Sequence, residues 1–184
     1  MKYYHCSPVS GLTMLQPRKP EMFEKPSKVY MTTLLPMALM YGVRNYEYSY
    51  GYNKEGQIFY EEYFPNALDE LYGGKSASLY LCDPENVDTT KIPNEVTAEK
   101  AVPILREISI PDVLEALLEQ ERLGALIIYR YHELSEKRLN WIHHAEVEVI
   151  LEKGILHTQG PMAEYYRTHY PESWASAMQQ ENEK

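Results

Sequence analysis

The chain has 184 residues and a formal net charge of −9, a length that suits one domain with a substantial core. Its acidic balance argues against DNA, RNA or an anionic membrane as partner, because those surfaces bind clusters of Lys and Arg. A membrane-spanning run of about 18 apolar residues is missing, and the N-terminus lacks the basic and apolar regions of a signal peptide. We therefore expect a cytoplasmic location.

The N-terminal part predicts short strands and one small helix. Residues 2–6 form the first expected strand, and a turn or short helix follows over 10–15. Three prolines then mark a loop: Pro17, Pro20 and Pro26. A second strand is expected over residues 28–32, and it leads into an apolar helix from Leu35 to Tyr41 with Pro36 in its first turn.

The next segment is rich in tyrosine, of which the chain has 17. Alternating Tyr and polar residues predict strands over Tyr46–Tyr52 and Gln57–Tyr63, with a turn between them. A helix over residues 65–72 is expected to end at Gly73-Gly74. Tyrosines in such strands are commonly half packed, although a Tyr-rich surface is also typical of protein contacts.

The second half changes from strands to helices. Three further strands are expected over Ser78–Cys82, Glu95–Thr97 and Pro103–Ile110, with a polar loop over residues 83–93. Apolar residues at helical spacing then predict three helices: Asp112–Leu123, Ser135–Lys153 and Pro161–Met178. Between the first two helices, residues 126–131 fit either a strand or a helical continuation, and the end after Met178 is expected to fray.

Strands and helices without βαβ regularity favour the α+β class. The expected organisation is a β-rich core over residues 1–111 and a helical C-terminal extension over 112–184. We expect the extension to pack on the core, so that the chain forms a single compact unit.

Two positions near the N-terminus are candidate site residues. His5 ends a short aromatic strand and is followed by a polar turn, which would leave its imidazole facing a cleft. A lone His on a strand is more often structural, so its neighbours matter. Tyr30 and Thr32 lie two apart and share one strand face, opposite the apolar Val29 and Met31. Tyr30 could therefore stack on a flat heteroaromatic ring.

These segments resemble the first two motifs of the ADP-ribosyltransferase superfamily. The resemblance rests on Tyr4-His5-Cys6-Ser7, Ser10-Gly11-Leu12 and Val29-Tyr30-Met31-Thr32, with Ala38 and Tyr41 after them. Residues 79–84, 93–97 and 102–104 resemble the second half of the small rifamycin-inactivating transferases, and the likeness spans roughly residues 3–110. The resemblance implies an ADP-ribosyltransferase-like split sheet, with NAD as the substrate.

The resemblance also implies roles for individual residues. His5 would donate a hydrogen bond to a ribose hydroxyl, and Tyr30 would stack on nicotinamide. Backbone groups at Cys6 and Ser7 would hold the nicotinamide amide. Two further residues, Thr32 and Tyr41, would complete the NAD-binding surface.

A carboxylate should stabilise the oxocarbenium-like centre that forms when the nicotinamide–ribose bond breaks. Glu95 matches the family position, because it opens a short strand after a long polar loop. Glu107 is the alternative, a carboxylate within an apolar strand. Pro93 stands where arginine-modifying toxins carry a second Glu or Gln, so that activity is not implied.

The sequence leaves other functions open. The runner-up is a non-catalytic module that binds NAD, ADP-ribose or another nucleotide, and an RNA 2′-phosphotransferase would need a more basic groove than residues 1–60 offer. A protein-interaction domain using the Tyr-rich strands is a different class. The acceptor of a transferase would be a protein or a small molecule, which the sequence does not identify.

No metal is expected. Cys6 and Cys82 fit a reducing compartment and do not have the spacing of a zinc site. His144 and Glu148 lie four apart on a helix, a spacing that can hold a metal, but a third ligand is not evident.

Overall fold

A seven-stranded antiparallel sheet dominates the computed structural model, which describes residues 2–18 and 27–183. Two of the prolines in the expected loop, Pro20 and Pro26, lie outside the described residues. The strands are, in spatial order, β2 (Met14–Leu15), β9 (Val102–Ile110), β6 (Ala77–Cys82), β1 (Tyr3–Ser7), β3 (Val29–Thr32), β8 (Glu95–Ala98) and β7 (Asp88–Thr89).

The remaining strands and the helices follow in chain order. β4 (Tyr50–Tyr52) pairs antiparallel with β5 (Ile58–Glu61), and β10 spans Ile127–Tyr129. The α-helices are α1 (Leu35–Met40), α2 (Ala67–Tyr72), α3 (Val113–Arg122), α4 (Glu136–Glu152), α5 (Pro161–His169) and α6 (Pro171–Asn182). Short 3-10 helices cover Tyr131–Glu133 and Ile155–His157. The fold is therefore mixed α+β, as the sequence predicts.

The chain forms two compact units. The first contains the residues up to Tyr60 together with Leu68–Ile127, and the second contains Glu61–Ala67 and the residues from Ile128 onward. The helix α3, which follows residue 111, belongs to the first unit. In that unit, buried side chains from five strands form one apolar cluster: Leu15, Val29, Met31, Tyr80, Cys82, Val96, Ala98 and Val102. In the second unit, α6 packs against α4 and α5.

Several local expectations were wrong. Of the turn or short helix expected over residues 10–15, the helix is absent, and the segment ends in the two-residue β2. Tyr46–Ser49 lies outside β4, because the Tyr48 hydroxyl donates to the Val43 carbonyl (2.9 Å) and folds this segment back on itself. The short edge strand β7 lies within the expected polar loop.

The C-terminal expectation was also wrong. The helix expected over Pro161–Met178 is two helices, because Pro171 lacks an N–H group and disfavours helical backbone at Tyr170. The end does not fray after Met178, since α6 continues to Asn182. Among the helices that the structure describes, a candidate for spanning a membrane is not found.

Helix α1 closes one side of the region where the candidate residues lie. It follows β3 directly and packs against both β1 and β3. Gly42 permits this approach: a Cβ atom there would lie 2.7 Å from the Cys6 Sγ and 3.0 Å from the Leu39 carbonyl oxygen. The close packing explains why five of the six α1 residues are buried.

Candidate active site

The central strands β1 and β3 separate after a single pair. β1 pairs with β6 along Tyr3–Ser7, whereas its described ladder with β3 contains only Tyr4 opposite Thr32. The His5 side chain lies where the ladder stops, and its Nδ1 atom is 2.9 Å from the Tyr30 carbonyl oxygen. A carbonyl only accepts hydrogen bonds, so Nδ1 carries the proton and donates it. The imidazole therefore holds together two strands whose backbones have separated.

This hydrogen bond determines what His5 can offer a ligand. Burial lowers the pKa of the His5 imidazole and nearby Arg18 lowers it further, against the opposing effect of the hydrogen bond to Tyr30. The ring is therefore neutral at pH 7, and its Nε2 atom is an acceptor. The expectation that His5 donates to a ribose hydroxyl is corrected accordingly: in the neutral ring, Nε2 can accept a hydrogen bond and cannot donate one.

The lowered pKa of His5 predicts how stability depends on pH. In the unfolded chain His5 takes up a proton near its ordinary pKa of about 6.5, and the folded protein does so only at lower pH. Its contribution to the free energy of unfolding is therefore fully present above the pKa of the unfolded chain. The contribution is lost as the pH falls through the lower pKa of the folded protein. Chemical denaturation of wild type and His5→Ala over about three pH units, from roughly pH 8 to 5, should show their stability difference shrinking in acid. A difference that grows in acid would contradict it.

A cavity of about 840 Å³ opens at this point, within the range of roughly 300–1,000 Å³ that small-molecule sites occupy. Its lining includes every site residue expected from the sequence: His5, Cys6, Ser7, Tyr30, Thr32, Tyr41 and Glu95. Residues from both faces of β3 contribute, because all four of its residues line the cavity. The structure thus brings His5, Tyr30 and Glu95 to one cavity from three different strands.

Glu95 and Glu107 differ in position. Glu95 begins β8 directly opposite Thr32, is only 6% exposed and lines the cavity. Glu107 is not among the lining residues. Its carboxylate accepts from Ser78 Oγ (2.6 Å) and from the Gly11 N–H (3.1 Å), and both bonds lower its pKa. Glu107 therefore has a local structural role, holding the turn at Gly11 against β6.

Two expected binding residues have side chains with other partners. The Cys6 thiol packs against Gly42, and burial raises its pKa to about 12, so it stays protonated. The Thr32 hydroxyl accepts from the Leu34 N–H (3.0 Å) and lies 3.2 Å from the Met37 sulfur. It therefore connects β3 to α1, and only the remaining surface of Thr32 faces the cavity.

Tyrosines from the Tyr-rich segment form one wall of the cavity. The Tyr41 ring lies 4.6 Å from the Tyr48 ring, and its hydroxyl is 3.0 Å from that of Tyr50. Tyr52 donates to the Pro93 carbonyl at 2.7 Å. The sequence pattern predicts Tyr48, Tyr50 and Tyr52 in a strand or on a contact surface. It does not predict that they line the cavity. Their alternation in the sequence does not reveal that they return to α1.

Positive charge also gathers at the cavity, although the chain is acidic. Four cationic side chains line it: Arg18, Lys28, Arg44 and Lys91. Lys28 pairs with Asp88 (3.2 Å) and Glu99 (3.5 Å). Among the described lining residues Glu95 is the one carboxylate. The sequence did not indicate these cations, because they are far apart along the chain and belong to no motif.

Within residues 2–18 and 27–183, no three His, Cys, Asp or Glu side chains lie close enough together to bind a metal ion. Compared with models of protein families and with curated proteins, the chain gives no match. Inference about its function therefore depends on the cavity and the residues around it.

Proposed function

We propose that this chain is an NAD-dependent ADP-ribosyltransferase with an ADP-ribosyltransferase-like split sheet. The observation that carries the proposal is that His5, Tyr30 and Glu95 line one cavity where β1 and β3 separate. The family resemblance implies catalytic roles for the same three residues, which are far apart in the sequence. An active site of this kind requires the three side chains to line one cavity, and their distance along the chain does not by itself bring them together.

The lining fits the chemical groups of NAD. Tyrosine rings offer flat surfaces for heteroaromatic bases, and Arg and Lys side chains suit a diphosphate. The neutral His5 can accept a hydrogen bond from a ribose hydroxyl through Nε2. Against a net charge of −9 for the whole chain, the cavity is lined by four cations and one carboxylate, which favours an anionic ligand even though Lys28 is paired with Asp88 and Glu99 outside the lining.

NAD supplies a leaving group that carries a positive charge: when the bond from ribose C1′ to the nicotinamide nitrogen breaks, the electron pair leaves with nicotinamide as a neutral molecule. The protein then has to position the ribose and stabilise the developing cation. In this proposal His5 orients the ribose, Tyr30 packs on the leaving ring, and the Glu95 carboxylate faces the positive centre. The acceptor's nucleophilic atom bonds to C1′, and the proton it loses passes to Glu95 or to water.

The test measures release of nicotinamide from NAD together with the thermal shift that NAD produces. NADH is the matched control ligand, because its uncharged dihydronicotinamide cannot leave as a neutral molecule in this way. We expect both dinucleotides to raise the melting temperature, since specific binding stabilises the folded state, and only NAD to be cleaved. Absence of both shift and cleavage would overturn the proposal.

The cavity also supports a second candidate, a module that binds NAD, ADP-ribose or a related nucleotide without turnover. The specific observation is that the tyrosine wall and the cations provide binding groups that do not depend on Glu95. A thermal shift with NAD and ADP-ribose, without release of nicotinamide over long incubation, would establish this function instead.

A further inference from the structure

The connection between β7 and β8 is a compact hydrogen-bonded turn that carries Glu95. The Thr90 N–H donates to the Glu95 carbonyl (3.3 Å), and the Glu95 N–H donates to the Ile92 carbonyl (3.1 Å). Asn94 has a positive φ of 65°, a backbone conformation that Asn adopts more readily than most residues. The turn therefore closes on itself within six residues.

Neighbouring elements hold this turn from outside. The Thr33 N–H and hydroxyl donate to the carbonyl and side-chain oxygens of Asn94, each at 3.1 Å. The Tyr52 hydroxyl donates to the Pro93 carbonyl at 2.7 Å. The backbone on which Glu95 sits is thus attached both to the end of β3 and to β4.

Within the turn, the Thr90 side chain contacts the Glu95 carboxylate directly. Its hydroxyl accepts from the Ile92 N–H (3.0 Å) and lies 2.9 Å from Glu95 Oε1. The hydroxyl has one proton, and the Ile92 carbonyl is farther away at 3.4 Å, so the proton goes to the carboxylate. The hydroxyl therefore links one carboxylate oxygen to the backbone of the turn.

We propose that Thr90 is a positioning residue that orients the Glu95 carboxylate toward the ribose in the cavity. This inference rests on the proposed function. A carboxylate at the end of a two-carbon side chain can adopt several rotamers, and the Thr90 hydroxyl selects one by binding Oε1. The carboxylate then needs no reorientation as positive charge develops, which is how preorganised groups lower a barrier.

The test compares Thr90→Val, which removes the hydroxyl at nearly constant shape, with Thr90→Ser, which keeps it. Thr89→Val is the matched control, because Thr89 is the exposed neighbour in β7 and does not line the cavity. Nicotinamide release gives kcat and KM for NAD, and thermal unfolding reports stability. Thr90→Ala is a second deletion of the hydroxyl should the valine variant fail to fold.

We expect Thr90→Val to lower kcat by about 10- to 100-fold with KM nearly unchanged, because a displaced catalytic group costs rate rather than ground-state binding. Thr90→Ser should restore kcat, and Thr89→Val should match wild type. Wild-type kcat in Thr90→Val, a loss confined to KM, or an equal loss in the serine variant would overturn the positioning role alone. Wild-type protein that releases no nicotinamide would overturn the proposed function as well, so the two failures are distinguishable.

Discussion

Glu95→Gln is expected to slow nicotinamide release by about 100- to 1,000-fold, the loss typical when one preorganised charge-stabilising group is removed. The reason is electrostatic, because the carboxylate is the one negative side chain among the described residues that line the cavity. At 6% exposure water screens it little, so its interaction with a developing cation is strong. Release is measured at saturating NAD so that the change appears in kcat.

Glutamine keeps the shape of the side chain and an oxygen that can accept from Thr90, which lies 2.9 Å from Oε1. The substitution therefore removes the charge and leaves the turn intact. NAD binding should stay within about threefold of wild type, since an interaction made mainly in the transition state lowers kcat without changing ground-state affinity. A thermal shift titration with NAD measures this affinity.

Two control variants separate charge at the cavity from charge elsewhere. Glu55→Gln makes the same change at an exposed position in the turn between β4 and β5. Glu107→Gln tests the rival carboxylate, which lies outside the cavity lining. Both should release nicotinamide at the wild-type rate. Wild-type activity in Glu95→Gln, or a larger loss in Glu107→Gln, would refute the assignment of the carboxylate to Glu95.

The parts of this site that could be predicted have strong local signals. β1, β3 and α1 follow from short alternating or apolar runs, and such runs specify which side chains share a face. Glu95 was recognisable because a polar loop precedes a short apolar strand. The functional roles of these residues remain predictions, since only their position at the cavity is observed.

The missed parts depend on contacts between distant residues. The cations at the cavity come from separate segments, and nothing in their local sequence shows that they converge. Thr90 acts through a turn whose hydrogen bonds span residues 90–95, and a Thr in a polar loop is not distinctive. The break at Pro171 had a local signal: proline in a helical pattern predicts an end at the preceding residue.

His5→Ala should reduce both stability and ligand binding, because Nδ1 donates to the Tyr30 carbonyl and, in the proposed function, Nε2 accepts from the ligand. Removing the ring deprives the half-buried Tyr30 carbonyl of the donor at 2.9 Å, which should cost about 1 kcal/mol, the low end of the penalty for a buried polar group. The stability is measured by denaturant unfolding about one unit above the ordinary histidine pKa, at roughly pH 7.5.

His5→Asn separates the two roles of the ring. An asparagine amide can place an N–H near the position of Nδ1 and has no atom at the position of Nε2. We therefore expect His5→Asn to recover much of the stability that alanine loses, while NAD raises the melting temperature of both variants less than that of wild type. If asparagine were as destabilising as alanine, the hydrogen bond to Tyr30 would not be what holds β1 to β3. If NAD raised the melting temperature of His5→Asn as much as that of wild type, Nε2 would not contact the ligand. The His5 ring would then have a structural role only.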